Sequence, residues 1–103
     1  MTQYVNLTPH AIHLNDGRSF EPSGAIARVS SSFSDFENDV CEQVFGEVEN
    51  LPAPQADVRF IVSGLVLAAL KGERDDVVAP ATGHPLTQRN EKGHIVSVPG
   101  FVR

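Results

Sequence analysis

Short apolar blocks, each closed by Pro, Gly, Asn or Asp, recur along the chain, and this punctuation predicts mostly short strands. Residues 4–7 and 11–14 are strand-like and are separated by Thr8-Pro9, where proline's fixed φ and missing amide hydrogen favour a bend or an edge. Asn15-Asp16-Gly17 accepts the positive φ of a hairpin turn, so residues 11–14 are expected to pair with residues 18–21. Pro22-Ser23-Gly24 turns the chain again before a strand expected over residues 25–30. That strand would place Ile26 and Arg28 on one face, so Arg28 requires a partner or a strand end near solvent.

Residues 35–57 carry seven carboxylates and no Lys or Arg. Val40, Val44, Phe45 and Val48 interrupt the acids, which is compatible with one or two strands around a Gly46 turn. Leu51-Pro52-Ala53-Pro54 is a stiff connection into residues 58–62, the most strand-like segment of the chain. Ser63 then caps a short helix, Gly64–Leu70, which is apolar nearly all round, is expected to be buried, and stops near Gly72. Residues 77–79 read as a strand ended by Pro80, residues 81–85 as a loop, Glu91-Lys92-Gly93 as a turn and residues 94–98 as a last strand. The expected class is α+β, with mostly short antiparallel strands in a bent sheet and one or two short helices.

With 103 residues, 41% of them apolar and 20% charged, the chain is expected to fold as a single domain, 1–103, around one modest core. Eight basic against thirteen acidic residues leave no broad basic surface for duplex nucleic acid. The charge is unevenly divided: residues 1–58 set Arg18 and Arg28 against nine acids, a balance of −7, whereas residues 59–103 set six cations against four acids, a balance of +2. Six of the eight cations are Arg, the side chain suited to bidentate contact with phosphate or carboxylate. The lone Cys41 excludes an intrachain disulfide framework and a thiolate zinc site, and it reads as a small buried apolar residue. No apolar run is long enough to span a bilayer and the N-terminus lacks a signal-peptide pattern, so a soluble cytoplasmic protein with no membrane contact is expected.

The local signatures of catalysis are missing. His10, His13, His84 and His94 form no compact ligand spacing, and His10 and His13 are expected to face opposite sides of a strand. Val62-Ser63-Gly64 sits between strand and helix but lacks the preceding glycine of a nucleophile elbow, so Ser63 reads as a cap. No glycine pattern matches a phosphate loop. No metal, cofactor or enzymatic turnover is expected. What remains is an arginine constellation around a polar connection. Arg74-Asp75-Asp76 is either a local ion pair or a guanidinium held in place for an anion. Thr87-Gln88-Arg89-Asn90 is either a polar hairpin flank or a set able to meet phosphate oxygens and a base or ribose edge. Tyr4, Phe33, Phe36, Phe60 and Phe101 are the aromatics able to stack on a base, although such rings are more often core.

Several short motifs, taken in order, carry a family resemblance. They are Val5-Asn6-Leu7-Thr8-Pro9-His10-Ala11-Ile12, Pro22-Ser23-Gly24 with Arg28, Leu51-Pro52-Ala53-Pro54, Phe60-Ile61-Val62-Ser63, Arg74-Asp75 with Pro80, and Arg89-Asn90 through Gly93-His94-Ile95-Val96. In this order the chain resembles small phage and prophage proteins, most of all the first-described phage sponge family that counters the Thoeris defence system. The resemblance implies a non-enzymatic protein that binds a cyclic ADP-ribose isomer and keeps it from its effector. It also implies a homo-oligomer, dimeric or larger, with ligand at subunit boundaries, and separate sites for cyclic di- or trinucleotides in some relatives. By the same resemblance Arg89 and Arg28 would meet phosphate, Asn90 a polar edge, and Phe60 or Phe101 a base, with Arg74 a further candidate.

The reading is therefore a cyclic nucleotide sponge, for which an absent catalytic constellation is no obstacle, because sequestration needs slow release rather than an acid or base. Two rivals stand beside it: a phage inhibitor that binds a host protein directly through the acidic segment, and a small nucleotide hydrolase or lyase using His84 or His94.

Overall fold

The computed structural model describes residues 2–103. The centre is a four-stranded mixed sheet built from β1 (Gln3–Asn6), β6 (Val58–Ile61), β7 (Val77–Pro80) and β10 (Phe101–Val102), in the order β1-β6-β7-β10. Three two-stranded ribbons surround it: β2 (Ile12–His13) with β3 (Ser19–Phe20), β4 (Arg28–Phe33) with β5 (Gln43–Glu49), and β8 (Gln88–Arg89) with β9 (Ile95–Ser97). Among the described residues the single helix, α1 (Gly64–Leu70), connects β6 to β7. The class is α+β with mostly short strands, as the sequence indicates.

Antiparallel pairing holds in the ribbons and between β7 and β10, but β6 lies parallel to both β1 and β7. A parallel pair requires a crossover, and α1 supplies it between β6 and β7. Both faces of this sheet are covered at its centre, which is why Phe60-Ile61-Val62 and Val77-Val78-Ala79 read as apolar runs rather than alternating ones, Arg59 being the one charge in β6. On one face Phe60, Val62 and Val77 pack with Val66 of α1, Leu7 and Ala27. On the other, Ile61 and Val78 pack with Ile12, Leu14 and Val98, beside the half-buried rings of Tyr4, Phe20 and Phe101. The buried Asn6 ties the start of this second layer together. Its Nδ2 donates to the carbonyls of His10 (2.8 Å) and Phe20 (3.0 Å), and its Oδ1 accepts from the amide and hydroxyl of Thr8.

The β2–β3 hairpin forms as expected, with Ile12 opposite Phe20 and Gly17 at φ 97°. Ser63 caps α1 by accepting from the Val66 amide at 3.3 Å, and Lys71 ends it in the left-handed region at φ 52°. Four expectations are corrected. The helix is not buried: only Val66 is, while Leu65 is exposed and Leu67 and Leu70 are half-buried, because α1 packs on the sheet and on the base of the β4–β5 ribbon and leaves its remaining flank to solvent. The strand expected over residues 25–30 begins at Arg28 and runs on to Phe33, since a serine run is tolerated in a solvated ribbon. Gly46 lies inside β5 rather than at a turn; Gly46 and Glu47 together oppose Ser30 in a bulge. Cys41 is half-buried rather than buried.

The turn at the end of the β4–β5 ribbon instead includes Asn38-Asp39, both at positive φ (53° and 68°), between the mutually hydrogen-bonded Glu37 and Val40. Both residue types tolerate the left-handed region better than other non-glycines. The ribbon is an arm. Val29 and Val48 at its base pack on the core, whereas residues 31–40 are all exposed. The resulting radius of gyration is 15.2 Å, against roughly 13 Å for a compact chain of this length. Among the described residues no helix is long and apolar enough to cross a membrane.

Candidate functional site

The six residues singled out in the sequence do not gather in one place. Phe60 is buried in the first core layer, so its ring has no face open to a ligand. Arg28 opens β4 opposite Glu49 and borders an open depression with Gly24, Ile26 and Asn50. Arg74 is locked in place: Nε and Nη2 donate to the two carboxylate oxygens of Asp76, both at 2.8 Å, and Nη2 also reaches the Pro52 carbonyl at 2.9 Å. The hydrogen bonds from Arg74 hold the Asp76 carboxyl below the usual carboxylate range, and Asp76 in turn raises Arg74.

Arg89 and Asn90 do sit together, on the β8–β9 hairpin, where both bind their own backbone. Arg89 donates through Nη1 to the Gly93 carbonyl (3.0 Å) and through Nη2 to that of Thr82 (3.3 Å). Asn90 Oδ1 accepts from the amides of Lys92 (2.9 Å) and His94 (3.0 Å), which closes the turn expected at Glu91-Lys92-Gly93. With Glu91, Lys92 and His94 they border a shallow surface dish. His84 turns its own loop, Nδ1 accepting from the Leu86 amide at 3.0 Å. Among the described residues no group of three or more His, Cys, Asp or Glu is placed to hold a metal ion.

Phe101 leads to a different constellation. Its ring stacks on Tyr4 with centroids 5.2 Å apart, and Phe20 meets both rings at an angle. Beside Tyr4 and Phe101 lies a depression of about 270 Å³ lined by three guanidinium-bearing residues, Arg18, Arg59 and Arg103. The fold explains the meeting. Tyr4 and Arg59 are register partners in the parallel β1–β6 pair and so share a face, while β10 pairs with β7 and brings Phe101 and Arg103 to the same neighbourhood. Arg18 is oriented by Asp16, which accepts from its amide (3.0 Å) and from its Nε (2.9 Å). Those bonds, led by the one from the backbone amide, lower the Asp16 carboxyl. Among the described residues Arg59 and Arg103 have no carboxylate within the 4.0 Å of an ion pair. Asp57, Asp75 and Asp76 border the adjoining depression, across the same two arginines, and Asp76 is committed to Arg74.

This arrangement suits an anion attached to a planar ring: guanidinium groups for phosphate oxygens, aromatic edges and faces for a base. Phe101 and Tyr4 stand out as stacking candidates in the sequence, whereas Arg18, Arg59 and Arg103 do not stand out as site residues. One available clue was Arg59, a charge within an otherwise apolar strand.

A second and larger concavity, about 1040 Å³, lies along the open flank of α1. Leu67, Leu70, Pro80 and Val102 give it apolar walls, and Lys71, Arg74 and Arg103 stand on its rim with Asp75 as their counterweight. No protein-family model, curated protein or solved structure matches this chain.

Proposed function

We propose that this protein is a non-catalytic binder that sequesters an anionic nucleotide in the cytoplasm of a phage-infected bacterium. The ligand class is the one the family resemblance implies: a cyclic ADP-ribose isomer first, and cyclic di- or trinucleotides second. The observation that carries the reading is the convergence of Arg18, Arg59 and Arg103 beside the stacked rings of Tyr4 and Phe101. Arg59 and Arg103, with no carboxylate partner among the described residues, keep their donors for a phosphate, Arg18 is held beside them by Asp16, and the neighbouring aromatic surface takes a base. At about 270 Å³ the depression holds a phosphate and one ring rather than a whole dinucleotide, so the remainder of the ligand projects over its edge. The resemblance places such edges at subunit boundaries in a homo-oligomer.

Incubation with cyclic ADP-ribose isomers and cyclic di- and trinucleotides, followed by removal of free ligand and release by heat, tests the proposal. Recovery of intact ligand at stoichiometric yield is the expected result. Recovery of an altered product would replace it with an enzyme, and failure to retain any of these compounds would overturn it.

A further inference from the structure

We propose that the β4–β5 arm is a docking element whose apolar tip seats in the α1-flank groove of a second copy of this chain. At the tip Phe33, Phe36, Val40 and Val44 are 67%, 74%, 66% and 53% exposed, although Val29 and Val48 at the base of the same ribbon pack on the core. Phe33 and Val44 lie on opposite faces of the ribbon, with Phe36 and Val40 at its turn end, so the tip is apolar on both sides and suits a groove rather than a flat surface. A lone two-stranded ribbon gains little stability from such side chains unless something covers them.

Charge decides between occupants. Residues 34–49 hold Asp35, Glu37, Asp39, Glu42, Glu47 and Glu49 and no cation, so two arms laid together would set acid against acid. The groove along α1 offers the complement: apolar walls from Leu67, Leu70, Pro80 and Val102, with Lys71 and Arg103 against Asp75, the Arg74 charge being already paired with Asp76. No arm residue lines the groove of its own chain, and the tip stays exposed there. Reciprocal exchange of arms gives a closed two-fold dimer with both apolar surfaces covered twice over. This contact is separate from the nucleotide depression except for Arg103, so its failure leaves nucleotide binding at that depression standing.

The test measures self-association of the full chain by sedimentation across micromolar to millimolar concentration. Phe36→Glu, paired with Val40→Glu, disables the tip at exposed positions. Lys71→Glu with Leu67→Glu disables the groove, and circular dichroism with thermal melting confirms that each variant folds. The expected result is a wild-type dimer, at least about tenfold weaker association for each variant alone, and a mixed dimer when the two variants are combined, because one intact arm then meets one intact groove. Lys71→Ser, a milder rim change, is expected to weaken association severalfold should the groove double variant fail to fold. A wild-type chain that remains monomeric overturns the proposal. So does a groove variant that dimerises as tightly as wild type, which would indicate arm-to-arm contact, or an arm that captures only an unrelated basic protein.

Discussion

Arg74 and Asp76 form a two-bond fork, Nε to Oδ1 and Nη2 to Oδ2 at 2.8 Å each, with side chains only 21% and 14% exposed. The pair pins the loop after α1 to the Pro52 carbonyl as well as to itself. Its contribution to stability depends on pH in a definite direction. The folded-state carboxyl lies below its ordinary value of 3.8, so the stabilisation is complete above about pH 4 and is lost as pH falls through the folded value. Asp76→Asn removes the ionic partner and is expected to cost about 1–2 kcal/mol at pH 7. Urea titrations from pH 7 to pH 2.5 should show that gap narrowing below about pH 4. A gap that stays constant over the whole range would exclude the linkage. Asp16 is lowered in the same sense, but it is present in both chains and cancels in the difference.

The side chain of Asn6 is buried and fully hydrogen-bonded, with donors to His10 and Phe20 and an acceptor for two groups of Thr8. Asn6→Leu keeps the branched shape but leaves the Thr8 amide and the Phe20 carbonyl without their side-chain partner, while the His10 carbonyl keeps the Thr8 hydroxyl. The expected loss is about 2–4 kcal/mol, since several buried polar groups become unsatisfied together. Asn6→Asp retains the acceptor and forfeits the donors, and it places a charge among carbonyls, so it should also destabilise. Thermal and urea unfolding of the two variants measures this. A loss below about 0.5 kcal/mol in Asn6→Leu would mean that water replaces the missing bonds.

Gly46 makes its closest approach to Ser30, whose Oγ would collide with a Cβ placed on it. Because the obstacle is a rotatable hydroxyl rather than backbone, Gly46→Ala should cost only about 1 kcal/mol, through a forced rotamer of Ser30. Ser30→Ala in the same chain should recover most of that loss, and a double-mutant cycle from urea melts reads the coupling. Equal losses in both backgrounds would place the strain in the bulge backbone instead.

The parts of this fold that were legible in sequence are those fixed by local chemistry. Asp16-Gly17 sets the first hairpin, Ser63 caps the helix, and the Asn90 turn ends at Gly93, each within a few residues. The parallel pairing of β6 was written as Phe60-Ile61-Val62 and Val77-Val78-Ala79 flanking a helix, but such runs also suit an antiparallel core strand. The exposure of α1 was not readable at all, because it reflects the absence of a covering layer in this chain rather than any property of residues 64–70. The candidate site suffered most. Arg18, Arg59 and Arg103 come from three distant segments and meet only through sheet order, whereas adjacent pairs such as Arg89-Asn90 drew attention by proximity in sequence and serve their own hairpin.

That contrast yields the most direct comparison among the arginines. Arg59→Ala and Arg103→Ala remove guanidiniums with no ion-pair partner among the described residues, so neither leaves a carboxylate orphaned and folding stability should change by less than about 1 kcal/mol. Each should weaken retention of a cyclic ADP-ribose isomer by at least about tenfold, the scale of a charge-assisted contact to phosphate. Phe101→Leu should reduce affinity less, by the loss of stacking, while disturbing the Tyr4–Phe20 contacts and lowering the melting temperature. Arg89→Ala supplies the opposing case, since its guanidinium already donates to Gly93 and Thr82 and its removal should loosen the hairpin while leaving affinity within about twofold. Titration calorimetry on the four variants, with melting curves alongside, separates the two sets. Loss of binding in Arg89→Ala with full binding in Arg59→Ala and Arg103→Ala would move the site to the β8–β9 hairpin.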